Sequence, residues 1–218
     1  MQSNKELEDL SKNLDEKKFT MVIKRLFDIL ASFVGLILLS PMLLIISIFI
    51  KLDSKGPVFF KQKRVGKNKK LFEIYKFRTM VVDAEKIGKQ ITVGNDSRIT
   101  NVGKFIRKLK LDEFPQLINV LKGEMSFVGP RPEVPKYVEL YDEYQEQILL
   151  VRPGITDYAS IEFRNENKIL SNSEDPEYKY IEEIIPKKIE LNMKYIKRIS
   201  LFEDIVLILK TILTILFK

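Results

Sequence analysis

Three observations predict an α+β fold: one long apolar run near the N-terminus, a stretch of apolar–polar alternation about a Gly-Lys-Asn turn, and a series of short segments with helical spacing after it. The 218 residues fit one domain with appendages. With 37 Lys+Arg against 30 Asp+Glu the chain carries +7, and it is 31% charged yet 45% hydrophobic, so its apolar residues are concentrated in particular segments. It has neither Cys nor His. That excludes disulfide frameworks, thiolate nucleophiles, imidazole bases and zinc sites of the N/S kind. Catalysis must then run on carboxylates, Lys/Arg, hydroxyls or an oxygen-liganded metal such as Mg²⁺.

Residues 1–20 are polar and mixed in charge and read as a solvated helix or a disordered arm. Residues 21–51 form a membrane element. Within it, Leu26 to Ile50 is a 25-residue stretch with Asp28 as its one ionisable group, and as a helix it would reach roughly 37 Å, beyond the hydrocarbon core. Ser40-Pro41 interrupts it, and proline removes a helical hydrogen bond. Lys24 and Arg25 precede the run as membrane-surface anchors, and Lys51, Lys55, Lys61, Lys63 and Arg64 follow it. Positive charge at both ends places both on the cytoplasmic side. A re-entrant helix that enters, breaks at Ser40-Pro41 and returns meets both facts, with freed backbone groups bonded by Ser40 or by packed protein. A kinked spanning helix is the alternative.

Residues 52–199 read as a catalytic body. Pro57 to Met80 alternates around Gly66-Lys67-Asn68 as a β-hairpin. Val82–Lys89, Thr100–Lys110, Glu113–Lys122, Pro135–Ile148 and Pro186–Ile199 are helix candidates from periodicity and capping. Residues 200–218 carry a narrow polar stripe through Glu203, Asp204, Lys210, Thr211 and Thr214, the pattern of an amphipathic helix lying on the same leaflet.

Ten basic residues stand between Lys51 and Arg78 against Asp53 and Glu73. They suit anionic lipid; nucleic acid is disfavoured by the membrane-embedded neighbour. They also suit phosphate handling, since Lys76 and Arg78 share a strand face and could clamp one ligand. Further on, Asp112-Glu113 follows Arg107, Lys108 and Lys110, just ahead of Pro115. Carboxylates there could simply cap a helix. They could also supply a nucleophile and a metal ligand for phosphoryl transfer, with Mg²⁺ and guanidinium groups neutralising the repulsion.

KRLFDILAS, LLSPMLL, GPVFFKQKRVGKNKKLFEIYKFRTM, NDSRITNVGKFIRKLKLDEFPQLINVLKGEMSFVGPRP and VRPGITDYASIEFRN occur in that order. Together they resemble the bacterial sugar transferases, monotopic polyprenyl-phosphate phosphoglycosyl transferases, over about Lys24 to Arg164. The resemblance implies a ping-pong reaction at the cytoplasmic face of the bacterial inner membrane. Asp112 would attack the β-phosphorus of a UDP-sugar and release UMP, and a polyprenol phosphate, undecaprenyl phosphate by expectation, would then take the phosphosugar. Glu113 would assist, with Asp112 and Glu113 as metal ligands to Mg²⁺. Arg131 of VGPRP would hold phosphate, with Lys76, Arg78, Arg98 and Arg152 as further phosphate-binding candidates. A homodimer is admitted as a partner state. Many relatives read GWAQVNGRN where this chain reads DYASIEFRN, which brings a modified amino sugar into consideration as donor. The long N-terminal domain of some relatives is not in this sequence, so a minimal catalytic form is expected. Two other classes compete: a non-enzymatic basic membrane adaptor and a lipid-phosphate hydrolase.

Overall fold

The computed structural model describes residue 10, residues 12–84 and residues 96–217. Its mixed helix and sheet architecture matches the α+β expectation, with one long helix and many short ones around two small sheets. The expected helix Val82–Lys89 lies mostly outside the described residues.

Helix α1 runs Lys18–Asp53, 36 residues, with Pro41 inside. It starts three residues before the expected boundary at Met21. Of the described residues ahead of it, Leu10 and Leu14 are buried in the main core, so this part of the chain is docked rather than solvated. Helical backbone continues through Pro41. The carbonyl that proline cannot reach, Ile37 O, accepts instead from Ser40 Oγ at 2.7 Å, the repair expected of a Ser-Pro pair in lipid. α1 is long and apolar enough to cross a membrane, and 11% of its most apolar window is buried, so it is not a core helix. The chain is membrane-associated through it. Both ends of α1 touch the same folded body. Near the start, Asp28 Oδ1 accepts from Phe127 N at 3.2 Å; near the end, Ile46 and Ile50 pack with Phe77 and Ile106, and Asp53 Oδ2 accepts from Val102 N at 3.0 Å.

Strands β1 (Phe59–Val65) and β2 (Leu71–Phe77) form the expected antiparallel hairpin, pairing Phe59 with Phe77 and Val65 with Leu71. Helix α2 (Asn101–Lys108) starts at Thr100, whose side chain accepts from Gly103 N. A 3₁₀ turn at Leu111–Glu113 leads into α3 (Gln116–Lys122). Strand β3 (Ser126–Val128) then pairs in parallel with β4 (Gly154–Thr156). The backbones meet so closely that a Cβ on Gly154 would stand 2.1 Å from Gly129 N. Only glycines allow this approach, which fixes the Pro130-Arg131-Pro132 turn next to them.

Helix α4 spans only Pro135–Val138, and a 3₁₀ segment follows at Gln145–Leu150. The single helix expected over Pro135–Ile148 is thus two. Asp142 and Gln145 bond each other's backbone N–H reciprocally, a capping box that restarts the helix. Helices α5 (Tyr158–Glu162), α6 (Glu166–Ser171) and α7 (Pro176–Lys179) precede a π turn and α8 (Ile185–Lys197). The final helix α9 (Leu201–Leu216) is capped by Ser200. Much of its polar stripe turns to the body rather than to water, although Lys210 is exposed. Asp204 pairs with Lys24 and accepts from Tyr195 Oη at 2.7 Å, and Thr211 Oγ1 lies 2.5 Å from Thr156 Oγ1. Its apolar residues Phe202, Ile205, Leu209, Leu213 and Leu216 are exposed instead, alongside the exposed apolar face of α1.

Candidate functional site

A cleft of about 980 Å³ collects side chains from the hairpin, the turn before α3, the Arg131 turn and helices α5 and α8. Its size lies at the upper end for small-molecule sites. Asp112 and Glu113 line it together with Lys76, Arg131, Arg107 and Lys110. Lys110 stands at φ 56°, ψ 23°, a left-handed conformation uncommon for lysine, and the reversal there turns the next two carboxylates inward.

The two acids have different surroundings. Glu113 Oε1 accepts from Lys76 Nζ at 2.9 Å, and Glu113 also pairs with the Arg131 guanidinium, whose Nη1 approaches Oε2 at 3.4 Å. Burial pushes the Glu113 carboxyl up, but the charges of Arg131 and Lys76 and their hydrogen bonds outweigh it and hold it well below the usual carboxylate range. Lys76 is pushed down by burial despite Glu113, whereas Arg131 is raised by the Glu113 charge. Arg131 is therefore the firmer partner. Asp112 has no hydrogen-bond partner among the described residues and feels Lys76, Lys110 and Arg107 only through space; its pKa is raised by burial, which those cations offset in part. Neither acid caps α3, which starts without any side-chain cap. The simple capping role is thereby removed.

The candidate phosphate residues separate. Lys76 and Arg131 converge on Glu113. Arg78 does not join them: it is buried, and its guanidinium donates to Lys55 O at 2.6 Å and Ser54 O at 2.8 Å, closing the end of α1. Lys76 and Arg78 both line the cleft, but the helix end captures the Arg78 guanidinium. Arg98 lines the cleft but is held by Asp96 through Nε and Nη2. Arg152 lies outside the cleft lining and donates to Gly123 O at 3.0 Å. Lys24 and Arg25 are not free surface anchors either. Lys24 is paired with Asp204, and Arg25 donates to Val120 O at 2.6 Å and Leu121 O at 2.9 Å, at the end of α3.

Three positioning residues escaped the sequence reading. Fully buried Asn119 accepts from Tyr75 N at 2.9 Å and donates to Glu73 O at 2.7 Å, locking α3 to the strand that carries Lys76. Asp157 accepts from Arg131 N at 3.1 Å and from Ser160 N at 2.6 Å, tying the Arg131 turn to α5. Arg64 bonds Glu133, which in turn accepts from Tyr180 Oη at 2.5 Å. Asp157 ahead of a helix carried a capping signal; Asn119 and Arg64 carried none.

A family model described as bacterial sugar transferase matches residues 19–218. The chain belongs to this family. Among its relatives, the chain is 43% identical over 197 residues to the UDP-N-acetylgalactosamine-undecaprenyl-phosphate N-acetylgalactosaminephosphotransferase of Aeromonas hydrophila, covering 89% of this chain and 44% of that protein. It is 39% identical over 196 residues to the UDP-glucose:undecaprenyl-phosphate glucose-1-phosphate transferase of Escherichia coli strain K12, covering 88% and 39%. It is 36% identical over 204 residues to the exopolysaccharide production protein ExoY of Rhizobium meliloti strain 1021, covering 87% and 83%. The chain thus spans less than half the length of the first two relatives and most of the third. In this bacterial sugar transferase the matched region takes in the membrane helix, the cleft and both carboxylates.

Proposed function

We propose that this chain transfers a sugar-1-phosphate from a UDP-sugar to a polyprenol phosphate, undecaprenyl phosphate by analogy with what its relatives are named for, and releases UMP. The single observation that carries the mechanism is the asymmetry of the acid pair: Glu113 is held by two cations while Asp112 faces the same cleft with no hydrogen-bond partner among the described residues. Glu113 orients the cations, and Asp112 is left to react. An Asp112 carboxylate oxygen attacks the β-phosphorus and forms an acyl phosphate; the bond to the bridging oxygen breaks, and its electron pair leaves with UMP. An oxygen of polyprenol phosphate then attacks that phosphorus, breaks the aspartyl–phosphorus bond and regenerates the Asp112 carboxylate. Arg131 and Lys76 stay close to the charge that passes between the two phosphates.

Mg²⁺ fits in a restricted way. Among the described residues no three Asp, Glu, His or Cys side chains converge, and both Glu113 oxygens face cations. Asp112 is then the residue that would hold the ion, which characteristically binds through one or two carboxylates together with substrate phosphates. When bound, it supplies charge neutralisation between carboxylate and diphosphate. In this reading Glu113 would orient the cations rather than share the metal.

The chain sits on one face of the bilayer, by expectation the cytoplasmic face of the inner membrane. This placement is supported by both ends of α1 docking on one body and by the apolar face α9 turns outward. Incubation with UDP-sugars carrying a labelled sugar and with polyprenol phosphate in detergent tests the reaction. Organic-extractable label together with UMP is expected. Free inorganic phosphate released from polyprenol phosphate would indicate a lipid-phosphate hydrolase, and neither product would leave a lipid-binding adaptor.

A further inference from the structure

Beyond Arg131 the cleft has a wall that the transfer chemistry does not use. It is made by α5 and α8, which pack against each other. On α8, Asn192 is 3% exposed and lines the cleft, yet its Oδ1 has no hydrogen-bond partner among the described residues. On α5, the Ser160 hydroxyl is likewise buried, unpartnered and part of the lining. Buried polar atoms in native proteins are nearly always bonded, so two orphans on one cleft wall call for a partner from outside the chain.

The wall is tied to the reacting centre. One Asp157 oxygen accepts from Ser160 N at 2.6 Å and the other from Arg131 N at 3.1 Å, and Arg131 grips Glu113. A single carboxylate therefore separates this wall from the residue that holds Glu113, the neighbour of Asp112. In a nucleotide-sugar, the group bonded directly to the attacked phosphorus is the sugar, whereas the base lies beyond another phosphate and a ribose. Proximity to Arg131 thus favours the sugar.

Resting on the function proposed above, we infer that Asn192 and Ser160 read the donor's sugar ring. Asn192 Oδ1 accepts from an O–H or acylamino N–H on the ring, and Ser160 Oγ bonds a neighbouring ring substituent. A site built to bond a particular substituent discriminates strongly against sugars that lack it, because its own buried groups are then left unpaired. Sugar selectivity would then lie on α5 and α8, away from the acids that do the chemistry.

The test is UMP release by the full chain in detergent with UDP-glucose, UDP-galactose, UDP-N-acetylglucosamine and UDP-N-acetylgalactosamine, for the natural sequence, Asn192→Ala and Ser160→Ala. UMP, which carries no transferred sugar, serves as a product inhibitor, its effect read as loss of labelled sugar transferred to polyprenol phosphate. Each variant is expected to change the ratio of kcat/KM between best and worst donor by about ten-fold or more, with UMP inhibition unaltered. An equal fall for all four donors would overturn the inference, leaving the orphans as water-bridged structural groups. Weakened UMP inhibition would overturn it in favour of a nucleoside-binding wall. Should Asn192→Ala fail to fold, the smaller change Ser160→Ala decides alone. Absence of UMP release by the natural sequence with every donor would refute the transfer reaction itself, which separates that failure from a failure of this subsite.

Discussion

Side by side, Asp112 and Glu113 are chemically similar and physically opposite. The difference comes from what faces each one: two cations bond Glu113, and none bonds Asp112. Arg131→Lys should test the grip, because the guanidinium reaches Glu113 with two nitrogens and an ammonium can replace only one contact. Losing one charge-assisted bond predicts a fall in kcat/KM for UMP release of about 10- to 100-fold, with unfolding temperature nearly unchanged; an undiminished rate would remove Arg131 from the site. Arg78 predicts the reverse. Its guanidinium closes the end of α1, so Arg78→Met should cost about 2–4 kcal/mol of stability while UMP release per folded molecule is kept. A loss of rate without a loss of stability would return Arg78 to phosphate binding. The acid pair was legible in the sequence because its neighbours were basic. The assignments of Arg78, Lys24 and Arg25 were not, because sequence records that a cation is present and not which carbonyl or carboxylate lies in its reach.

Elements show the same division between pattern and partner. The hairpin was legible because its alternation and turn residues act locally, and α9 was legible from its helical period. The direction of its polar stripe was not, since only the fold reveals that Lys24, Tyr195 and Thr156 are waiting for it. For α1, cysteines placed at exposed Lys12 and Asn68, on either side of the apolar run, should both resist an impermeant thiol reagent in intact cells and both react after permeabilisation. Labelling of just one from outside would mean that α1 crosses the bilayer. The helices around the main core carry a further consequence. Burial pushes Tyr137 up to about 12, and Tyr141, Tyr180 and Tyr195 are also raised, chiefly by burial. Unfolded tyrosines ionise near 10.0, so above that pH the unfolded chain binds fewer protons than the folded one, and stability must fall as pH rises. Denaturant midpoints across this alkaline interval should drop steadily, and a flat profile would contradict the burial of these phenols.

For the whole molecule, the apolar faces of α1 and α9 lie outward while the cleft is walled by the hairpin, the Arg131 turn and α8. A membrane-associated body whose cleft gathers cations and carboxylates along a partly apolar wall suits the proposed reaction, which joins a soluble nucleotide-sugar to a lipid phosphate. Removing divalent cations with EDTA should stop UMP release, and adding Mg²⁺ should restore it; full activity in EDTA would show that Lys76, Arg131 and the other cations suffice. The parallel β3–β4 pair and the short helices α5, α6 and α7 were not foreseen, whereas the long apolar helix, the hairpin, the final helix and the location of the acids could be read from the chain, since each rests on short-range pattern. The cleft could not, because Asn119, Asp157 and Arg64 assemble it through contacts between segments distant in sequence. The central claim is that Asp112 carries the phosphosugar between donor and acceptor. Intact-protein and peptide mass spectrometry after incubation with a UDP-sugar alone, without polyprenol phosphate, tests it most directly. The expected result is one phosphosugar added on the peptide containing Asp112, UMP released in equal amount, and neither in Asp112→Asn. UMP release that requires polyprenol phosphate, with no adduct on any peptide, would contradict it.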